Sequence, residues 1–422
     1  MNIYLFLTII VPPLGLFMAF LSISQRQKIM LDERRISFCI ALFLAAFAYS
    51  YTPKGENSDI VRYFEFIDQI KDLPFFEAIT MGVRGGKNMY FLSAVCWVIG
   101  QIGDNYLLPA ISVFFTYYIG AYVTLKISND LKVNRINTAS VLLLVIFTPS
   151  FYSITNNVRN ILAFAIVGYG VFRDLYLRKR NIVTILLYIL PIFLHFSAIT
   201  IVLLRFIILF KGKWKVIFSV LAISLKKIST FMYFSFKDIS YDNTIVELLK
   251  QYTWKAHNYF NDTTSQWGLI VQQSGSYTMK RYLYVSFAML FCIISFYVSG
   301  KIEKNKINVP IENKKGFVKM LDFSFYLGLL TVACMQMLKP EFWRFASVLL
   351  LFSAPVIFVS ILYVKDRFII LLTNVLFVYM PLCLALTIRD LRLSYVGELL
   401  FKPFISSPII IVVKNFIYNI FC

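Results

Sequence analysis

The sequence predicts an all-α polytopic membrane protein, a single integral membrane domain over residues 1–422, and three observations lead there. The 422 residues are 59% hydrophobic and only 15% charged, against roughly 25% charged in soluble domains. Apolar runs recur from end to end, many near the ~20 residues needed to cross a bilayer core. Basic residues gather in short loops between those runs, although the formal net charge is +20. Such loops report orientation rather than a nucleic-acid partner. Counting the runs gives about 12 transmembrane helices plus a re-entrant or half helix.

Taken in order, Met1 to Phe20 lacks a basic n-region and a small-residue cleavage site, so it reads as the first helix. Positive clusters then mark cytoplasmic turns. They are "SQRQKIMLDERR" (24–35), "KISNDLKVNR" (126–135), "RDLYLRKR" (173–180), "KGKWK" (211–215), "KIEKNKINVPIENKKGFVK" (301–319) and the smaller "VKDR" (364–367). The outward connections are then 52–105, the short turn near 154–158, 237–281 and "KPEFWR" (339–344), with Arg389 to Pro403 on the same side. Inside the first outer loop, "MYFLSAVCWVIGQIG" (89–103) is apolar but about 15 residues long, short of a full span. It reads as a re-entrant or half-membrane helix.

Residues 182–209 carry cationic clusters at both ends, so both ends face inward and the segment turns back. Its two legs of about 14 residues rise about 21 Å each, less than the ~30 Å of hydrocarbon. The apex "LHFSA" (194–198) therefore lies below the outer surface, with His195 at its tip after Pro191. The second outer loop, 237–281, is rich in Tyr, Trp, Asn, Gln and Ser. Aromatic faces beside amides and hydroxyls suit sugar rings, or equally an interfacial aromatic belt. The six cysteines, Cys39, Cys96, Cys292, Cys334, Cys383 and Cys422, show no CxxC spacing, so neither a zinc site nor a disulfide framework is indicated.

Polar residues collect on the outer side. "TNNVRNILAFAI" (155–166) places Arg159 at the mouth of an apolar run, behind Asn157. An arginine inside a membrane costs roughly 2.5–3.5 kcal/mol, which snorkelling or an anion relieves. "YTPKGENSDIVRYFEFID" (51–68) brings Asp59, Arg62 and Tyr63 together. Asp59 and Arg62 share a helix face and can pair. "LKPEFWRFA" (338–346) adds Glu341 and Arg344, again at pairing distance in sequence. His195 is one of two histidines, and a neutral imidazole can accept a proton near neutral pH. His257, in the large outer loop, reads as incidental. Arginine's planar fork matches phosphate oxygens, so the group as a whole suits an anionic, lipid-linked substrate.

The stretch from Asn156 to Leu204, "NNVRNILAFAIVGYGVFRDLYLRKRNIVTILLYILPIFLHFSAITIVLL", resembles the EpsG-like branch of the Wzy-type polysaccharide polymerases. So do "GENSDIVRYFEFID" (55–68) and "FWRF" (342–345), in the family's order. The resemblance implies a fold similar to the multi-spanning lipid-linked glycosyltransferases. It also implies a polymerase of O-antigen or a related surface polysaccharide, working at the periplasmic face of the bacterial inner membrane. Its partners would be undecaprenyl-pyrophosphate-linked oligosaccharide, the lipid bilayer and a chain-length regulator, with no metal or other cofactor. By the same analogy Arg159 and Arg344 hold pyrophosphate, and His195 or Asp59 serves the acceptor. Arg62, Tyr63, Asn157 and Glu341 complete the binding set. The alternatives are a lipid-linked oligosaccharide flippase or other transporter, and an O-antigen ligase.

The loop charges make a direct prediction. In a background without native cysteines, one introduced near Asn261 reacts with an impermeant thiol reagent from outside, and one near Asn308 does not. Equal labelling would overturn the orientation.

Overall fold

In a lipid phase, apolar segments must satisfy their backbone groups internally, and helices are the result. The computed structural model describes residues 8, 11–25, 32–51, 59–82, 89–210, 212–238, 244–261, 275–337 and 341–392. Among these the regular elements are helical, with no strand. The first half holds α1 (Pro12–Gln25), α2 (Glu33–Tyr49), α3 (Asp59–Ile70), α4 (Phe75–Thr80), α5 (Tyr90–Ile102), α6 (Leu107–Asp130), α7 (Arg135–Phe147), α8 (Phe151–Asn156) and α9 (Val158–Leu175). Then come α10 (Ile182–Leu194), α11 (Ala198–Ile207), α12 (Lys213–Ile223), α13 (Leu225–Phe236), α14 (Thr244–Asn261) and α15 (Gly275–Glu303). The last are α16 (Lys314–Ala333), α17 (Glu341–Leu351), α18 (Ala354–Tyr363) and α19 (Arg367–Arg392).

Four helices, α6, α15, α16 and α19, are long and apolar enough to cross a membrane, or up to six spans if two bent pairs each count as one. The expected figure of about 12 takes each apolar run as one continuous crossing and includes runs outside the described residues. The chain instead breaks its runs. α12 and α13 meet at 68° and α17 and α18 at 54°, while α1, α5, α7, α10 and α11 are shorter apolar helices. α5 has 13 residues, about 20 Å of rise, and so falls short of a bilayer. Gly103, at φ 78°, stops it in the left-handed region that glycine enters without steric cost. The stretch 237–281, expected to face outward, contains α14, packed along α13. Of the expected outer stretch Arg389–Pro403, the residues from 393 onward lie outside the described ones.

α9 is the hub. It packs against α6, α10, α11, α16 and α17 and is buried on nearly every side. Gly168 permits one of these approaches: a Cβ there would stand 2.4 Å from the ring of buried Phe352.

The segment 182–209 is a hairpin. Asn181 caps α10 by accepting from the Thr184 N–H. At the far end the His195 N–H still donates to the Pro191 carbonyl at 2.9 Å, while the His195 backbone turns extended and ends the helix. The reversal is seen at the two bases, which meet on one carboxylate at the end of α9. Arg180 Nε lies 2.7 Å from Asp174 Oδ1, and Arg205 Nε lies 2.6 Å from Asp174 Oδ2. About 25 residues of continuous helix would hold those two arginines about 37 Å apart. The apex therefore returns to the starting half of α9, where the His195 ring packs edge-on against Phe164.

A second charge pair lies deeper. Lys215 Nζ donates to Asp322 Oδ1 at 2.6 Å and to Ser299 Oγ at 2.8 Å, and both charged side chains are essentially excluded from solvent. The sequence reads "KGKWK" as a cytoplasmic loop cluster. Its last lysine is instead a buried link between α12 and α16, made possible because the carboxylate neutralises it.

Different exposure gives the two Asp174 partners different weight. Arg205 is 16% exposed and Arg180 is 68% exposed. Arg205→Ala should cost about 1.5–3 kcal/mol, as expected for a lost charged hydrogen bond away from solvent. Arg180→Ala should cost less than about 1 kcal/mol. Thermal unfolding of the detergent-purified variants measures both, and equal losses would overturn the assignment.

Candidate functional site

The site begins with a one-residue interruption. α8 is capped by Ser150, whose hydroxyl accepts from the Ser153 N–H, and it ends at Asn156. Asn157, at φ −98° and ψ 48°, breaks the helix before α9 starts at Val158. The break answers the turn expected near 154–158. Asn156 is buried and held by Tyr51, with its amide nitrogen 2.8 Å from the phenolic oxygen. Asn157 does not use its side chain to cap α9. Its nitrogen donates to the Ser153 carbonyl at 3.0 Å, and its oxygen accepts from Arg344 Nη2 at 3.0 Å.

One turn further, buried Asn160 joins two of the expected site residues. Its amide takes the orientation in which nitrogen faces the imidazole and oxygen faces the guanidinium, since the reverse sets acceptor against acceptor and donor against donor. The nitrogen then donates to His195 Nε2 at 2.8 Å, and the oxygen accepts from Arg344 Nη1 at 2.8 Å and Nε at 3.1 Å. With Nε2 accepting, a neutral ring carries its proton on Nδ1. Phe164 stacks on Phe345 at 5.0 Å beneath this network and also touches His195.

Arg159 sits beside it on α9, half-buried. Its Nη1 is 3.3 Å from the Met89 sulfur, a weak acceptor, and its guanidinium lies 5.8 Å from the centre of the Tyr63 ring. Among the described residues no carboxylate pairs with Arg159, and Asp59 pairs with Arg62 instead at 3.3 Å. Burial pushes the Tyr63 phenol up, against the opposing pull of Arg159 and, more weakly, Arg344. Tyr63 therefore stays neutral while feeling both arginines.

His195, Arg344 and Asn157 thus share one hydrogen-bonded network, with Arg159 and Tyr63 adjoining it. Asp59 and Arg62 form a partly exposed local pair at the start of α3. Glu341 opens α17, but its side chain lies outside the described residues. Trp343, next to Arg344, packs edge-on against Tyr277 at 5.7 Å, at the end of the aromatic stretch 237–281. His257 stacks on Tyr233 at 4.3 Å and contacts Asn261, away from this network. The residue that the sequence did not mark is Asn160. Its one sequence signal is a polar amide next to Arg159 in "NNVRN", which does not set it apart from Asn156 and Asn157. Among the described residues, no three His, Cys, Asp or Glu side chains converge to hold a metal ion. The arrangement offers two guanidinium groups for an anion and, beside them, an imidazole with one acceptor nitrogen.

A family model described as the EpsG family matches residues 35–405. No curated protein and no solved structure matches the chain.

The contact between Arg159 and Tyr63 can be isolated. A double-mutant cycle of Tyr63→Leu and Arg159→Ala should show a coupling of about 0.5–2 kcal/mol in thermal stability. Tyr63→Phe, which keeps the ring, should leave Arg159's contribution unchanged. Zero coupling would reduce Tyr63 to packing alone.

Proposed function

The chain belongs to the EpsG family, a family of Wzy-like polymerases, and on that premise we propose that it extends O-antigen or a related surface polysaccharide. The substrates are repeat units carried on undecaprenyl pyrophosphate, joined at the periplasmic face of a bacterial inner membrane that the chain crosses several times. The observation that carries this reading is the amide network at the start of α9, which holds an imidazole and a guanidinium together with a second guanidinium alongside.

In the proposed reaction the acceptor hydroxyl oxygen forms a bond to the anomeric carbon of the donor sugar. The bond from that carbon to the pyrophosphate oxygen breaks, and undecaprenyl pyrophosphate leaves with the negative charge. Arg159 and Arg344 bind that leaving group, as charge-assisted donors to phosphate oxygens. His195 Nε2 takes the acceptor proton. Tyr63 supports Arg159 through its ring, Asn157 orients Arg344, and Asp59, Arg62 and Glu341 line the approach for sugar. No metal takes part, and a chain-length regulator is the natural protein partner.

Cells lacking the chain should accumulate lipid-linked single repeat units. Polymerised lipid-linked chains would point to a ligase, and failure of repeat units to reach the outer leaflet in vesicles would point to a flippase. Within the site, Arg159→Lys should insert and express normally yet lose polymerisation by about 10²–10³, the scale of a lost oxyanion-type donor. Lysine is a point charge without arginine's fork. Full-length polysaccharide from Arg159→Lys would leave Arg159 as an interface anchor, because lysine snorkels as well.

A further inference from the structure

The resting geometry presents a difficulty for a base. A neutral imidazole has one acceptor nitrogen, and in His195 that nitrogen, Nε2, already accepts from Asn160 at 2.8 Å. The acceptor hydroxyl cannot use the same lone pair until the amide withdraws. What would move the amide is at its other end, where the Asn160 oxygen holds two donors of Arg344.

A phosphate oxygen competes for those donors on favourable terms, since it carries a negative charge that the amide oxygen lacks and matches the planar guanidinium fork. Asn160 is 3% exposed, so an oxygen displaced from Arg344 has little water to turn to and must find another donor. Nitrogen and oxygen belong to one planar amide, and rotation that re-pairs the oxygen also swings the nitrogen off Nε2. Asn157 keeps a separate grip on Arg344 through Nη2, so the guanidinium is held while Asn160 lets go.

We propose that Asn160 is a positioning residue that couples the two halves of the site. An anion of the pyrophosphate class taken up by Arg344 loosens the amide from His195 Nε2 and frees the imidazole for the acceptor hydroxyl. The imidazole's role as proton acceptor rests on the polymerase reading, whereas the coupling itself does not. The consequence is an order of events, with donor bound before acceptor is activated.

The chain has two histidines, so His257→Gln leaves His195 as the single imidazole for nitrogen NMR of histidine-labelled protein. Inorganic pyrophosphate serves as the probe. The expected resting spectrum shows Nδ1 protonated and Nε2 unprotonated and hydrogen-bonded, and pyrophosphate shifts the Nε2 signal. In Asn160→Ala, pyrophosphate still binds by calorimetry but the Nε2 shift is lost. Asn160→Asp, closer in size should the alanine variant fold poorly, places a carboxylate at Nε2 and should show both ring nitrogens protonated. A resting ring protonated on Nε2, no response to pyrophosphate, or the same response in Asn160→Ala would each overturn the coupling. The experiment needs no turnover. A wrong polymerase reading would show instead as normal polysaccharide in cells lacking the chain, with the spectra unaffected.

Discussion

The Asp174 carboxylate, which accepts from Arg180 on one oxygen and Arg205 on the other, sets the geometry on which the site depends. It binds both bases of the α10–α11 hairpin to the end of α9. From that common origin the two elements rise by matching amounts. The 13 residues of α10 carry the chain about 20 Å, and the stretch of α9 from Asp174 back to Asn160, about 14 residues, covers about 21 Å. The imidazole at the apex and the amide near the helix start therefore arrive at the same level. A carboxylate and two cations at the bottom decide what meets at the top.

The structure treats its charges in two ways. At Asp174 and at Asp322, cations face carboxylates at 2.6–2.7 Å, and the opposite charges offset one another. Around Arg159 and Arg344 the described contacts are amides, a thioether and an aromatic face. Neutral acceptors orient a guanidinium without cancelling it. Ion pairing holds the scaffold, while the described contacts of the two site guanidinium groups serve to orient them.

Much of this was legible in the sequence, for reasons that can be named. Arg159 stands out because a permanent charge at the mouth of an apolar run has few explanations. The hairpin is readable because "RDLYLRKR" and "KGKWK" flank a run too long for one crossing and too short for two. His195 follows from the hairpin. Asn160 was not legible, since a single amide inside "NILAFAI" is what any membrane helix tolerates, and only the apex folding back upon it gives it two partners. Lys215 misled in the opposite direction. Next to Lys211 and Lys213 it looks like loop charge, and its partner Asp322 lies 107 residues away in sequence. Hydropathy also records apolar length and not the breaks at Ser224 or around Phe352, where bends divide runs that read as continuous.

The remaining question is why the two site arginines sit at helix starts at all. Helix polarity disfavours them there. Arg159 lies in the first turn of α9 and Arg344 in the first turn of α17, where the backbone dipole already presents partial positive charge and a cation costs about 0.3–1 kcal/mol. Each guanidinium carries a membrane penalty of roughly 2.5–3.5 kcal/mol at depth, less as it nears the interface. These terms add rather than cancel, and within the described contacts no carboxylate offsets them at Arg159. On the proposed function, a multiply charged anion bound at these two helix starts would offset those costs. On that reading the diphosphate of a lipid carrier supplies the charge, and its membrane anchor holds it beside the helix starts that bear the two arginines.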